Sequence, residues 1–207
     1  VSLTLAQGEV PVPVGLRLFL PDKWTSAPLC CAKVGVPETT MAPRAKGEIA
    51  LGELDRLTVA GVRFGTVLAD VGYGANAAFC QGLNAWGLRG VVGILRNQKV
   101  YSAAVQLVPP AGQACKLVSN EAPAKAEKIL AGLPWRRITW RQGTRGALAA
   151  RFAAAHIQAG DGAVWGNNRH LPGDEAWLAG EWLAGGERKY YLSNLPADTP
   201  LRFVRRC

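Results

Sequence analysis

The chain has 207 residues, 49% of them apolar, with 24 Lys and Arg against 15 Asp and Glu. That composition excludes a disordered chain and suffices for one sizeable core, or a core with an insertion. No apolar run is long enough to span a bilayer, and the net charge of +9 favours a polyanionic partner, nucleic acid before anionic membrane.

In chain order, "VSLTLA" and "VPVGLRLFLP" read as two strands joined in a hairpin-like turn at Gln7-Gly8-Glu9. Pro11 and Pro13 place the second strand at an edge or delay its start. Pro21 to Pro43 reads as a loop rich in Pro, Ser, Thr and Cys. A helix is expected over about Arg44–Ala60, with Ile49, Leu54 and Leu57 on one side and Gly61 as its stop. The strand "RFGTVLAD" follows. Asn76 is placed to cap a helix whose Phe79, Leu83 and Trp86 share a face, with Gly87 after it. "RGVVGIL" is a further strand, closed by "RNQK". The helix-strand-helix-strand part predicts parallel strands with right-handed crossovers, and the opening hairpin an antiparallel part of the same mixed sheet.

The second half changes character. Gln106 to Ala126 reads as loop and Lys125 to Leu130 as a short helix. "WRRITWRQ", "ALAARFAAAHIQA", "EAWLAGEWL" and "RKYYLSNL" read as strands separated by turn signals, although "LAARFAAAH" has a composition that also suits a helix. The predicted class is therefore α/β, with a core over residues 1–105 and a β-rich insertion over 106–207.

Cys30, Cys31, Cys80, Cys115 and Cys207 form no C-x-x-C pair and suit a reduced, cytoplasmic setting. His156 and His170 stand far apart in sequence without ligand-like neighbours. Metal chemistry would then fall to carboxylates, which points to Mg²⁺ or Mn²⁺. The best-placed carboxylate is Asp70 in "FGTVLADVGYG", where an apolar strand ends on an Asp before a glycine turn. A strand end of this kind can hold a ligand; the same Asp can equally cap a helix. Asp22, Glu48, Glu53, Asp55, Glu175, Glu181 and Glu187 fit solvated surface positions better than a site.

Taken in order, "VLADVGYG", "VVGILRNQKVY", "WRRITWRQGTRG" and "GERKYYLSNLPADTPL" resemble the DDE-type transposases of bacterial insertion sequences, the branch with a ribonuclease H-like core interrupted by a β-rich insertion. The resemblance implies phosphodiester cleavage and strand transfer on DNA, driven by two divalent metals held on three carboxylates. It gives Asp70 the role of the second catalytic Asp and metal ligand. Val1 falls at the family's second strand, and "LRFVRRC" stops before the helix that carries the family's Glu. The expectation is thus an incomplete ribonuclease H-like sheet, truncated at both ends and inactive alone, that binds DNA and pairs with an intact transposase subunit near the nucleoid. Such a chain is also expected to be poorly soluble. Arg96, Lys99, Arg136, Arg137, Arg141, Arg145, Arg188 and Lys189 are the candidate phosphate contacts. Trp135 and Trp140 sit among them; core packing is the preferred reading for Trp140 over base stacking. A non-catalytic nucleic-acid-binding protein is the second reading. A small-molecule α/β enzyme is the third, and it lacks a G-x-G-x-x-G, a Walker loop or a nucleophile elbow.

Overall fold

The computed structural model describes residues 1–7, 10–110, 116–144, 146–164 and 169–199, and the backbone alone at 141–143. β1 (Ser2–Gln7) and β2 (Val10–Leu16) form the expected antiparallel hairpin, with a bulge between Leu3 and Thr4. Their turn at Gly8-Glu9 lies outside the described residues. Two short helices, α1 (Asp22–Thr25) and α2 (Pro28–Lys33), and a 3₁₀ turn at Glu38–Thr40 occupy the stretch expected to be loop. The prolines there start helices rather than prevent them: Pro28 stands at the first position of α2, where a missing N–H costs nothing.

α3 (Lys46–Val59) buries Ile49, Ala50, Leu54 and Leu57 along one side, and Gly61 terminates it with a φ of 80°. β3 (Thr66–Ala69) is shorter than the run "RFGTVLAD" suggests and leads directly into α4 (Val71–Gly74). α5 (Ala77–Ala85) starts at Asn76, whose Oδ1 accepts from the Phe79 N–H at 3.3 Å. β4 (Arg89–Ile94) runs parallel to β3, as the crossover pattern requires. β5 (Lys99–Ser102) follows. Two short strands, β6 (Leu107–Val108) and β7 (Val118–Ser119), pair with each other in the predicted loop. β8 (Ala124–Lys125) leads into α6 (Ala126–Ala131). The last four strands are β9 (Arg136–Gly143), β10 (Gly146–Ala159), β11 (Glu175–Trp182) and β12 (Arg188–Ser193). The "LAARFAAAH" run is therefore strand, its backbone paired to β9 over its first half and to β11 from Arg151 onward.

Among the described residues the main sheet has eight strands in the order β3-β4-β12-β11-β10-β5-β8, with β9 also on β10. It is mixed, but for a different reason from the one expected. The hairpin stays a separate two-stranded sheet, and the antiparallel pairing comes from the second half of the chain. β12 lies directly on β4 (Tyr190 opposite Ile94, Ser193 opposite Val91), so strands from both halves share one sheet.

The core has two main clusters. Ala50, Leu54, Phe79, Leu83 and Val92 join α3 and α5 to β4, with Leu3, Val67 and Ala69 packed on them. Ala126, Leu130, Ala153, Ile157, Leu178, Tyr190 and Leu192 seat α6 on the later strands. Register places Val92, Leu192, Leu178 and Ala155 in one cross-strand row, so these helices cover the same face.

Two polar contacts fix the joints. Glu53, expected to be solvated, is buried (5% exposed) and ion-paired to Arg17 at 2.6 Å and Arg56 at 3.1 Å. Arg56 also donates to the Val14 carbonyl, which pins the hairpin to α3. Asn194, just past β12, accepts from the Gly90 N–H at 2.7 Å and donates to Leu88 O at 2.8 Å and Asn84 Oδ1 at 2.6 Å. It thus ties the end of β12 to the start of β4 and to α5. Asn194→Ala would leave the Gly90 donor and the Leu88 acceptor unpaired in a half-buried site. The expected loss is about 1–3 kcal/mol in a urea melt, with the first half of the sheet losing hydrogen-exchange protection most.

Candidate active site and basic surface

The run Val67-Leu68-Ala69-Asp70 explains its own turn. Asp70 ends β3 in extended conformation and its Oδ1 accepts from the Gly72 N–H at 2.9 Å, capping α4. Gly74, at the far end of α4, lies so close to β4 that a Cβ there would collide with the Gly93 carbonyl. The glycines of "DVGYG" therefore let a one-turn helix lie against β4 and hold the Asp70 carboxylate, which is solvent-exposed, at the carboxyl end of β3.

Asp70 opens on a groove of about 240 Å³. One wall is β3, from Val67 to Asp70; the other is Ser2 and Leu3 of β1; Ala50, Leu54 and Phe79 form the floor and Tyr73 closes one side. Among the described residues no strand pairs with the outer edge of β3 or of β1. Burial raises the Tyr73 phenol above its usual value, and the Asp70 carboxylate adds to the rise.

Among the described residues no three His, Cys, Asp or Glu side chains gather where they can hold a metal. Asp70 offers a single carboxylate, one oxygen of which is already engaged by Gly72. The residues present therefore do not by themselves fit the two-metal centre that the resemblance implies, in which several carboxylates share the ions.

A second polar site lies beneath α5. Asn84 donates to Asp174 Oδ2 at 2.7 Å, and a small cavity is lined by Cys80, Asn84, Asp161, Asp174 and Asn194. Burial pushes the Asp161 carboxyl up, and Asp174 adds to it, against smaller opposing effects of a backbone hydrogen bond and then His170. Burial likewise pushes the Cys80 thiol up to about 11, with Asp161 contributing, which disfavours the thiolate.

The predicted basic residues divide between surfaces. Arg96 is exposed and pairs with Glu127 at 3.9 Å, while Lys99 stands opposite Lys125, which shares that Glu127. In β9 to β12 the alternation of side chains separates neighbours: Arg137 and Arg188 fall on the face that carries α6, Arg136 and Lys189 on the other. Lys189 stands opposite Glu181, which accepts from the Tyr191 hydroxyl at 2.9 Å. Arg145 and the side chain of Arg141 lie outside the described residues. Trp140 is 45% exposed, with its ring edge-on to Phe152, so it is not the core residue of its strand. Trp135, just before β9, is the more enclosed of the two: partly buried, it packs on the α6 cluster and donates to the Leu130 carbonyl. Sequence reading missed Arg151 and Trp182, which register brings beside Arg137 and Arg188. The signal was visible only as a lone Arg in an alanine-rich run.

A family model described as DDE superfamily endonuclease matches residues 1–147, from β1 to the start of β10. No curated protein matches the chain.

Two outcomes test the local chemistry. Asp70→Asn retains an acceptor for the Gly72 N–H and should melt within a few tenths of a kcal/mol of the parent, whereas Asp70→Ala should lose about 1 kcal/mol. Asp161 binds its proton more tightly when folded, so its contribution to stability falls as pH rises from the ordinary carboxylate value of 3.8 through the raised folded value. Asp161→Asn should flatten that decline in a series of thermal melts and should gain most at neutral pH.

Proposed function

This chain belongs to the DDE superfamily endonucleases, and on that premise we propose that it acts in DNA transposition, the cleavage and transfer of DNA strands that moves an insertion sequence. Members of the family generally use divalent metal ions and act on DNA, and this chain's part in that chemistry is assigned to Asp70. The supporting observation is its position: the carboxylate stands exposed at the carboxyl end of a strand, beside a groove whose two bordering strand edges are unpaired among the described residues.

That groove offers room for one further extended segment next to Asp70. A second and third carboxylate, brought by polypeptide other than the described residues, would complete a site for Mg²⁺ or Mn²⁺. An intact subunit of the same kind is one source. Residues 1–105 then form part of the ribonuclease H-like core, and residues 106–207 the β-rich insertion, its strands continuing the core sheet. The setting proposed is the bacterial cytoplasm, at the nucleoid.

Asp70's isolation among the described residues favours one other reading, a nucleic-acid-binding protein without catalysis. Nicking of supercoiled DNA separates the two. Residues 1–207 alone should bind DNA at low salt and show no Mg²⁺-dependent nicking. Mixed with an intact subunit of the same kind whose own equivalent Asp is replaced by Asn, the chain should support Mg²⁺-dependent nicking, and Asp70→Asn in the chain should lower that rate by at least a hundredfold with unchanged melting and DNA binding. Nicking that survives Asp70→Asn would remove Asp70 from the site; no nicking by the mixture would favour the binding reading.

A further inference from the structure

Four side chains form one cross-strand row at the end of the sheet face that carries α6. Arg137 of β9 stands opposite Arg151 of β10, Arg151 opposite Trp182 of β11, and Trp182 opposite Arg188 of β12. Directly opposed residues in antiparallel strands point to the same side, so three guanidinium groups share a strip roughly 14 Å long, three inter-strand spacings.

Two features show that this row is not ordinary solvated charge. Like charges directly opposite each other weaken a sheet, yet Arg137 and Arg151 are paired in register. Among the described residues no carboxylate forms an ion pair with Arg137, Arg151 or Arg188. The opposite face has the contrary design, with Glu181 set against Lys189. The second feature is Trp182. The Arg188 guanidinium lies 4.1 Å from its ring centre, Arg151 lies at 5.4 Å, and Trp135 meets it edge-on at 5.8 Å. A ring engaged in this way is not open for a base to stack on. Its contact with Arg188 restrains that guanidinium, and a cation held against a ring face keeps N–H donors on its edge for an anion. Beside it a groove of about 380 Å³ runs between Arg137, Arg151 and Trp182, with small Ala149 and Ala184 leaving it open.

Register also relates the row to Asp70. Ala69 is level with Val92, Leu192, Leu178 and Ala155. Four residues further in the direction of Asp70, the row is Arg188, Trp182 and Arg151. The strip therefore begins two strands away from β3 and about 10 Å beyond Asp70 along the strands.

We propose that Arg137, Arg151 and Arg188 form a phosphate-binding strip for a DNA backbone that runs to the Asp70 end of the sheet, with Trp182 as the positioning residue for Arg188. This rests on the DNA-acting reading above. The strip is indifferent to base sequence, because guanidinium groups reading phosphates carry no base information.

The test is fluorescence anisotropy of the whole chain with a labelled mixed-sequence duplex and its single strand, across a salt series. Arg137→Gln/Arg151→Gln should weaken binding roughly ten- to a hundredfold at low salt and reduce the slope of log affinity against log salt by about 2. Lys33→Gln/Arg63→Gln, with the same charge change elsewhere, should stay within about twofold of the parent. Trp182→Leu should weaken duplex and single strand alike, and Trp182→Phe should restore most of the loss. Equal losses in both double variants would overturn the strip and leave only net charge. Loss confined to the single strand in Trp182→Leu would overturn the positioning role in favour of base stacking. If the parent chain binds neither DNA at low salt, the DNA-acting reading itself fails and the strip with it; a parent that binds and an unaffected Arg137→Gln/Arg151→Gln variant would overturn the strip alone. Circular dichroism melts of each variant confirm that the fold is intact.

Discussion

The pairing of β12 on β4 is the constraint on which the other features depend. β4 has β3 on one edge, parallel, and β12 on the other, antiparallel. A slip of one residue in either pairing would turn every side chain of the shifted strand to the other face. Asn194 resists that slip by bonding at once to the Gly90 N–H, the Leu88 carbonyl and the Asn84 side chain. With β4 fixed on both sides, the first half of the chain and its late strands become one sheet, and the position of Asp70 relative to the arginine row follows from the ladder.

Asp70 combines two roles that are often set against each other. It caps α4, and it stands exposed at a strand end beside an open groove. One oxygen satisfies a backbone donor, which fixes the carboxylate's orientation; the other remains available. Orientation of a ligand group by a backbone hydrogen bond is the usual way a site is stiffened. The closeness of Gly74 to Gly93 contributes to the same end by holding α4 against β4. Glu53, with Arg17 and Arg56, holds the hairpin at the far wall of the groove.

The basic residues show how little a cluster in sequence says about a cluster in space. "WRRITWRQ" places Arg136 next to Arg137, and strand alternation sends them to opposite faces. Arg151 and Arg188, 14 and 51 positions from Arg137 by sequence number, are its neighbours in one row. Trp140 and Trp135 follow the same logic: the one with a hydrogen-bond partner and a helix to pack against is partly buried, and the other is exposed.

Local order was legible in the amino acids themselves. The 3.6-residue spacing of Ile49, Leu54 and Leu57, the Asn76 cap, the stops at Gly61 and Gly87, the parallel β3–β4 unit and the late strands all depend on interactions within a few residues or on one crossover rule, and each is present. Asp70 at a strand end was legible for the same reason, and the ordered motifs pointed to the DDE family that residues 1–147 match. The tertiary structure alone decided which strands adjoin which. It left the hairpin as its own sheet, buried Glu53 between two arginines, and assembled the row of Arg137, Arg151, Trp182 and Arg188. Apart from the i,i+3 pair of Glu53 with Arg56 and the hairpin pair of Trp182 with Arg188, those outcomes rest on backbone pairing and charge neutralisation between residues from about ten to more than a hundred positions apart, and no local periodicity encodes such partners.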